Sequence, residues 1–468
     1  MDYPPGKAPL AILIVAIVSG FLLLIYPAKK SAGNLQVWTF ADSHFKAYQK
    51  VVPQFEKTHP GVKVDLQFVE GRAVTSRLRA AFASDLPVPD MLETEISSAG
   101  TFFLGPLEDV GFRDLTEELH KPRPDGPPWI ERVVRSRFAP YTSRRIVNGK
   151  AEDHIFGLPH DVHPVLLGYR RDVFEKHGID AEKLTTWDAF LTEGRKLLAK
   201  LNVDKSGDGK PEMNHYLIGL SDTDCGDLEV LLFQRDGQYF DAEGRVRMDD
   251  EIAVKTMLWY VPLVAGPERV GYPVGWNWEL TDKAVQSDLI LSYVMPDWLT
   301  GFFEQHVPSG HGKLALMPLP AFEPGGRRTS TRGGTMLGFT KKSKQFATCW
   351  ELGLLMYFDI ESRAEQFKEL NILSPLKGSW DHPLLKAPKP YWSNQPLGQL
   401  FASQADNTPP QYTSPYIQLA KAKLGEALCD CVARYNAKGA RGFEAYVRKR
   451  LKQSADELRL QMTMNPYQ

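Results

Sequence analysis

Hydrophobic and polar positions alternate over Leu35–Trp38, which predicts a short strand. Phe45, Tyr48, Val52 and Phe55 then recur every three or four residues, the period of an amphipathic helix, with Asp42 or Ser43 placed to cap it. Pro53 inside that helix predicts a kink or a break. After the turn His59-Pro60-Gly61, Val62, Val64, Leu66 and Phe68 alternate with polar residues, as in a strand with one buried face. Strand, helix, strand is the opening unit of an α/β fold.

The same grammar continues along the chain. The proline-rich turn DLPVPD (85–90) leads into a strand at Met91–Leu92, and Phe156-Gly157-Leu158-Pro159 precedes the apolar run Val165–Leu167, with a helix expected from Arg171. Leu289–Val294 and Leu314–Leu319 read as strands, the first ending in a loop Met295-Pro296-Asp297-Trp298 and the second in the loop Glu323–Arg328. Two long amphipathic helices close the chain; Phe443, Val447, Leu451, Ala455, Leu458 and Met462 form one apolar stripe, the mark of a core-facing helix.

Ahead of this body, Ala8–Tyr26 is a run of uncharged, mostly apolar residues long enough to cross a bilayer at about 1.5 Å per residue. A cleaved signal peptide is the alternative, but Tyr26, Pro27, Lys29 and Lys30 stand where small residues are needed, so an anchoring helix over 8–26 is expected. Lys29 and Lys30 on the C-terminal flank, taken alone, favour a cytoplasmic body.

Composition narrows the classes. The 468 residues, 43% of them hydrophobic, suffice for two or three domains, and a net charge of −1 argues against a polyanionic partner such as nucleic acid. Four cysteines, with no Cys-x-x-Cys, support neither a disulfide scaffold nor a zinc ribbon. No dinucleotide, P-loop, zincin or nucleophile-elbow motif occurs.

Three groups of residues carry candidate chemistry. Asp204, Ser206, Asp208, Lys210 (through its carbonyl) and Glu212 follow the spacing of a calcium loop, but His215 stands where an EF-hand has its bidentate glutamate; a polar turn is the competing reading. Trp38, Trp276, Trp278, Trp298, Trp380 and Trp392 fall near predicted strand ends or loops, where an indole face packs on the apolar face of a sugar, although any one tryptophan is more often core. Glu93 and Glu95 sit beside the strand at 91–92; they suit acceptance of hydrogen bonds from hydroxyls, the carboxylate pair of a glycosidase, or simply a solvated acidic face.

Several ordered segments together resemble the family of extracellular solute-binding proteins of bacterial ABC importers, in its carbohydrate-binding branch. Val37–Asp42 with Phe55–Val64 is similar to that family's first strand–helix–strand, Ile155–Phe174 (IFGLPHDVHPVLLGYRRDVF) to its lobe-crossing segment, and Arg332–Lys344 (RGGTMLGFTKKSK) to its Gly-Gly loop and return strand; Leu231–Asp241 matches in spacing. The resemblance spans nearly all of residues 34–462. It implies an α/β, two-lobed periplasmic-binding-protein-like fold with hinge crossovers; the one N-terminal transmembrane helix expected from residues 8–26 precedes it and departs from relatives that are usually released or lipid-anchored. Lobe 1 is expected over 34–158 and 320–375, lobe 2 over 159–319 and 376–468. It also implies a non-catalytic protein that closes on a mono- or oligosaccharide and presents it to a permease, with the body outside the membrane. By position it nominates Asp42, His44, Glu93, Glu95, Asp161, His163, Trp298, Arg332, Gly333 and Gly334 as ligand-facing. Arg332 stands where relatives often carry an aromatic, which points to an acidic or differently shaped sugar. No cofactor is required, with Ca2+ at 204–212 as the optional one. A surface-anchored glycoside hydrolase and a sugar-sensing receptor for a signalling partner are the alternatives.

Overall fold

In the computed structural model, residues 12–15, 17–18, 34–84, 86–147, 150–204, 206 and 212–464 are described. Among the described residues twelve strands run in chain order: β1 (Leu35–Thr39), β2 (Val64–Phe68), β3 (Met91–Glu95), β4 (Thr142–Val147), β5 (Lys150–Ile155), β6 (Leu158–Pro159), β7 (Val165–Arg170), β8 (Ile218–Gly219), β9 (Gly271–Tyr272), β10 (Ser292–Pro296), β11 (Leu314–Pro318) and β12 (Thr335–Phe339). They form two five-stranded sheets, β2-β1-β3-β12-β6 and β11-β7-β10-β8-β9, and the separate hairpin β4-β5. In the first sheet β1, β2 and β3 are parallel and β12 is antiparallel to β3. In the second, β7 is antiparallel to β10 and β11, whereas β8 is parallel to β10.

Each sheet has its own core. Leu35, Val37 and Met91 of the first pack with Tyr48, Val51 and Phe55 of the helix Asp42–Thr58. The second is covered by the helices Glu251–Val264, Ile417–Lys438 and Phe443–Thr463; Phe443, Val447, Leu451, Ala455 and Leu458 are buried as their stripe requires, with Met462 packed at its edge. Three segments pass between the sheets. The first is 159–165. The second is 330–335, where Thr331 bridges to Pro164 and His160 donates its N–H to the Thr335 carbonyl. The third is 371–376, where Val162 donates to the Leu373 carbonyl and Val133 bridges to Leu376. Residues 321–330 stay with the second sheet: Trp187 donates to the Ala321 carbonyl and Val165 to that of Ser330.

Three local expectations change. Pro53 neither breaks nor ends its helix, which runs unbroken over Asp42–Thr58, and Ala41, not Asp42 or Ser43, is the cap residue, with no side-chain cap bond. The strand at 91–92 extends to Glu95, so both glutamates are strand residues. Met295 and Pro296 complete β10, and Trp298 lies in the first turn of the helix Asp297–His306, not in a loop. Most of 8–26 lies outside the described residues, and no described helix is long and apolar enough to cross a membrane.

Candidate functional site

In an open α/β sheet the natural crevice lies beyond the carboxyl ends of neighbouring parallel strands whose connections leave in opposite directions. β1 and β3 meet that condition, since β2 lies on the far side of β1 and β12 on the far side of β3. Their ends carry Phe40–His44 and Glu95–Ser98. In the second sheet the parallel neighbours β8 and β10 end at Leu220–Asp227 and Asp297–Trp298. The two sets face one another: Gln418, on the helix packed over the second sheet, donates from Nε2 to Ser98 Oγ at 3.1 Å.

The junction is built from buried charge. His163, whose φ of +52° is unusual for a non-glycine residue, holds Asp161 Oδ2 at 3.1 Å through Nε2 and Asp297 Oδ1 at 2.6 Å through Nδ1. Burial alone would lower its pKa, but the two carboxylates outweigh that and raise it to about 9, so the ring is an imidazolium at neutral pH. Asp161 also accepts from the Thr335 N–H, and Asp297 from the Leu373 and Trp298 N–H groups. This single chain of charges therefore ties all three crossing segments to the helix that carries Trp298.

Arg137, fully buried, adds a second tie. Its guanidinium donates to the Asp161 carbonyl (3.0 Å) and carboxylate (3.2 Å), Thr331 Oγ1 (3.0 Å), the Gly333 carbonyl (3.1 Å) and Gln411 Oε1 (3.3 Å). Gly334 is small because Arg137 is there: a Cβ at 334 would lie 2.6 Å from Nη2 and 3.0 Å from the Tyr141 hydroxyl.

Glu93 and His44 belong to a different network. Glu93 has no exposed surface and accepts from Tyr48 OH at 2.5 Å, Tyr357 OH at 2.6 Å and Thr39 Oγ1, with His44 Nδ1 at 3.1 Å. Burial raises its pKa, yet His44 and these donors pull it down to about 2. The solvated-face reading fails for Glu93, whose donors come from three different elements. His160 lies tilted against His44 with ring centroids 4.1 Å apart and accepts from Arg363 Nη1 at 2.8 Å; burial, then Arg363 and His44, lower its pKa to about 3 and keep it neutral. His44, Glu93 and His160 bring three ligand-type atoms together, but the adjacent buried Arg363 guanidinium disfavours a second cation.

The remaining nominated residues lie around the cleft ends. Glu95 accepts from the Ser97 N–H at 2.8 Å, and burial raises its pKa against the pull of Lys421. Lys421 pairs with Glu229 at 3.0 Å and Tyr239 OH donates to Glu229 at 2.8 Å; a pocket of about 20 Å³, room for one water, lies between these groups and Ser97. These three lobe-2 residues are ones that the sequence alone did not single out, being dispersed between residues 229 and 421. Asp42 is exposed and paired with Lys46 at 2.6 Å. Arg332 pairs with Asp227 at 2.7 Å, and its carbonyl accepts from Trp298 Nε1 at 2.9 Å. Gly333, φ +87°, takes the left-handed turn that brings this backbone beside Trp298 and His163. Trp392 is core and Trp380 donates to the Ser374 carbonyl, so neither lines the cleft ends.

A second inter-lobe feature, a groove of about 1250 Å³, runs past the β4–β5 hairpin between Phe103, Arg144 and Asp153 on one side and Glu243 and Tyr412 on the other. None of the nominated residues lines it. In the proposed calcium loop, Ser206 Oγ donates to Asp204 Oδ1 at 3.3 Å, Asp208 and Lys210 lie outside the described residues, and His215 Nδ1 engages the Asp288 carbonyl at 2.8 Å.

The comparisons with known proteins agree with this architecture. The model of the family described as bacterial extracellular solute-binding protein matches residues 41–352. The chain is 26% identical to an arabinooligosaccharide-binding protein of Bacillus subtilis (strain 168) over 347 residues, covering 72% of this chain and 73% of that protein. Among solved structures it is similar to an extracellular solute-binding protein family 1 member, with TM-score 0.70, 21% identity, 91% of this chain and 99% of the other covered. It is also similar to an ABC transporter associated binding protein from B. animalis subsp. lactis Bl-04 in complex with beta-1,6-galactobiose, with TM-score 0.65, 18% identity, and 91% and 98% covered. The relatives are named as binding proteins, not enzymes. The chain belongs to the bacterial extracellular solute-binding protein family.

Proposed function

We propose that this chain is the substrate-binding component of an ABC-type carbohydrate importer, which captures a sugar between its two lobes and delivers it to membrane permease subunits. The observation that carries the reading is the position of Trp298. Its indole stands at the carboxyl end of β10, held by the Arg332 carbonyl beside Gly333, where the chain crosses between two sheets of a solute-binding fold. An aromatic face supplies the apolar half of sugar recognition, and Glu95, Asp42 and Arg332 supply polar partners for hydroxyls. The sugars named for the similar proteins support the ligand class.

No bond is made or broken in this mechanism. The sugar binds the closed arrangement of the lobes better than the open one and shifts the population toward it, creating the surface a permease reads. The three crossing segments, clamped by His163 and Arg137, are the axis of that motion. Lobe 1 comprises 34–158 with the return strand and helices to 375, lobe 2 comprises 159–319 and 376–468, and 320–334 moves with the second sheet. His44 and Glu93 act as a strut of lobe 1, not as ligand contacts. The body works on the outer face of the plasma membrane, held there by residues 8–26.

Calorimetric titration with a panel of mono- and oligosaccharides tests the reading. At least one sugar should bind, and Trp298→Ala should weaken it at least tenfold, the loss of a buried aromatic contact. Binding of no sugar by the wild type, or turnover of an oligosaccharide, would refute it.

A further inference from the structure

All four cysteines are thiols in this structure, and two of them meet across one boundary inside lobe 2. Cys225 ends the loop that follows β8 and is the cap residue of the helix Gly226–Gln234. Its thiol donates to the Lys421 carbonyl of the helix Ile417–Lys438 at 3.5 Å. From that helix the Cys429 thiol donates back to the Thr223 carbonyl of the same loop at 3.4 Å. Each sulfur therefore touches the backbone of the element that carries the other.

Gly425 lies between them. It stands four residues before Cys429 on one face of the helix, about 6 Å along the axis. A Cβ at 425 would lie 3.9 Å from the Cys225 sulfur. Helical side chains lean toward the N-terminus, so Cys429 leans toward Gly425, where no side chain blocks the way. The other two thiols are placed differently. Cys349 belongs to the core of the first sheet, and Cys431 is buried and turned about 200° round the helix from Cys429. Cys429 is the exposed one of the four, so an oxidant in solution meets it first. The family to which the chain belongs is described as extracellular, and outside the cytosol disulfides persist.

We infer that Cys225 and Cys429 are a redox modification site, forming a disulfide that ties the loop after β8 to the helix Ile417–Lys438. In the first step the Cys429 thiolate attacks a disulfide oxidant, forming a mixed disulfide and releasing one thiolate. The Cys225 thiolate then attacks the Cys429 sulfur and releases the second. The two protein thiols lose two protons and two electrons, and the oxidant leaves as two thiols. The tied loop runs directly into Asp227, which pairs with Arg332, and the Arg332 carbonyl holds Trp298. Both ends of the bridge lie in lobe 2, so oxidation fixes that lobe's wall of the crevice and leaves the lobes free to move against each other.

The experiment equilibrates the full chain with oxidised glutathione at pH 8.5, since burial raises both thiols, Cys225 to about 12. Remaining thiols are then counted and blocked, and tryptic peptides are mapped by mass spectrometry. Cys225 is alone on the peptide 206–235, whereas Cys429 and Cys431 share 424–434, so Cys429→Ser and Cys431→Ser assign the partner. The wild type should lose two of its four thiols and yield 206–235 joined to 424–434. Its melting temperature should rise by roughly 5 °C over the reduced form, as for a bridge closing about 200 residues. Dithiothreitol should reverse both changes. Cys431→Ser should behave as the wild type, and Cys429→Ser should show no cross-link; should the buried Cys431→Ser fail to fold, the exposed Cys429→Ser decides. A glutathione adduct on Cys429 with Cys225 still a thiol, four countable thiols after oxidation, or a cross-link that survives in Cys429→Ser would overturn the site. None of these readouts depends on a ligand, so the site stands or falls apart from the carbohydrate reading.

Discussion

His163 should make the stability of this protein fall as pH rises through the range where most proteins are indifferent. Its imidazolium lies between Asp161 and Asp297, with a folded pKa of about 9 against an ordinary 6.5. Between those values the unfolded chain has released the proton and the folded chain keeps it. The contribution is therefore complete below about pH 6.5 and is lost by about pH 9. At about 1.4 kcal/mol per pH unit, the interval is worth about 3 kcal/mol. The perturbation is His163→Asn, chosen because asparagine tolerates the left-handed backbone that residue 163 adopts. The assay is urea unfolding, followed by tryptophan fluorescence, of wild type and variant at half-unit steps from pH 6 to 9.5. Burial raises the thiols of Cys225, Cys349 and Cys431 to about 12, so they also favour unfolding above pH 8, but they do so equally in both proteins and cancel in the difference. The wild-type advantage should shrink by about 3 kcal/mol across the range. Parallel curves for the two proteins would show that the folded imidazole titrates normally and that the charge chain does not clamp the junction.

Other expectations follow from single contacts. On the acid side His160, neutral in the fold down to about pH 3, should make wild-type stability fall as pH drops below about 6.5, because the unfolded ring takes up a proton that the buried one refuses; a stability maximum near pH 6.5 checks both histidines at once. Glu93→Gln presents an NH2 group to hydroxyls already donating to that site, and should cost about 2–4 kcal/mol in denaturant unfolding while leaving sugar affinity unchanged below the melting temperature; lost affinity in a folded variant would return Glu93 to the ligand site. Gly100→Ala places a methyl 2.1 Å from Thr413 Oγ1 and 2.6 Å from the Ser414 carbonyl on the facing lobe, so it should hold the lobes apart, enlarge the radius of gyration in small-angle scattering and weaken sugar binding; a wild-type radius and affinity would show that the contact yields freely.

The α/β alternation of the first lobe was legible because it is local. β1 and its helix each bury one face, and a strand or helix declares that in the period of its apolar residues; β2, at the edge of the sheet, follows the expected strand but not its buried face, since none of its residues is fully buried and Phe68 is exposed. The terminal helices were equally legible, with Phe443, Val447, Leu451, Ala455 and Leu458 all buried as their spacing demands. Pro53 does not break its helix, because the segment around it is held by Tyr48, Val51 and Phe55 in the core, and tertiary packing outweighs one lost backbone bond.

The site divides along the same line. Asp161, His163 and the Gly333–Gly334 pair were visible because they sit in short segments that resemble the lobe-crossing segments of the solute-binding family. What each of them does was decided only in three dimensions. Asp297 lies 134 residues from the His163 it charges, and Arg137 reaches Gln411 across 274. Periodicity carries no information over such separations. Likewise Glu93 and Glu95 share a motif and a strand face, yet one is locked among the hydroxyls of Thr39, Tyr48 and Tyr357 and the other faces Lys421 across the lobes. Chain composition fixes which charges a protein owns; the dielectric and the partners around each charge, which set its pKa and its role, exist only once the lobes have packed.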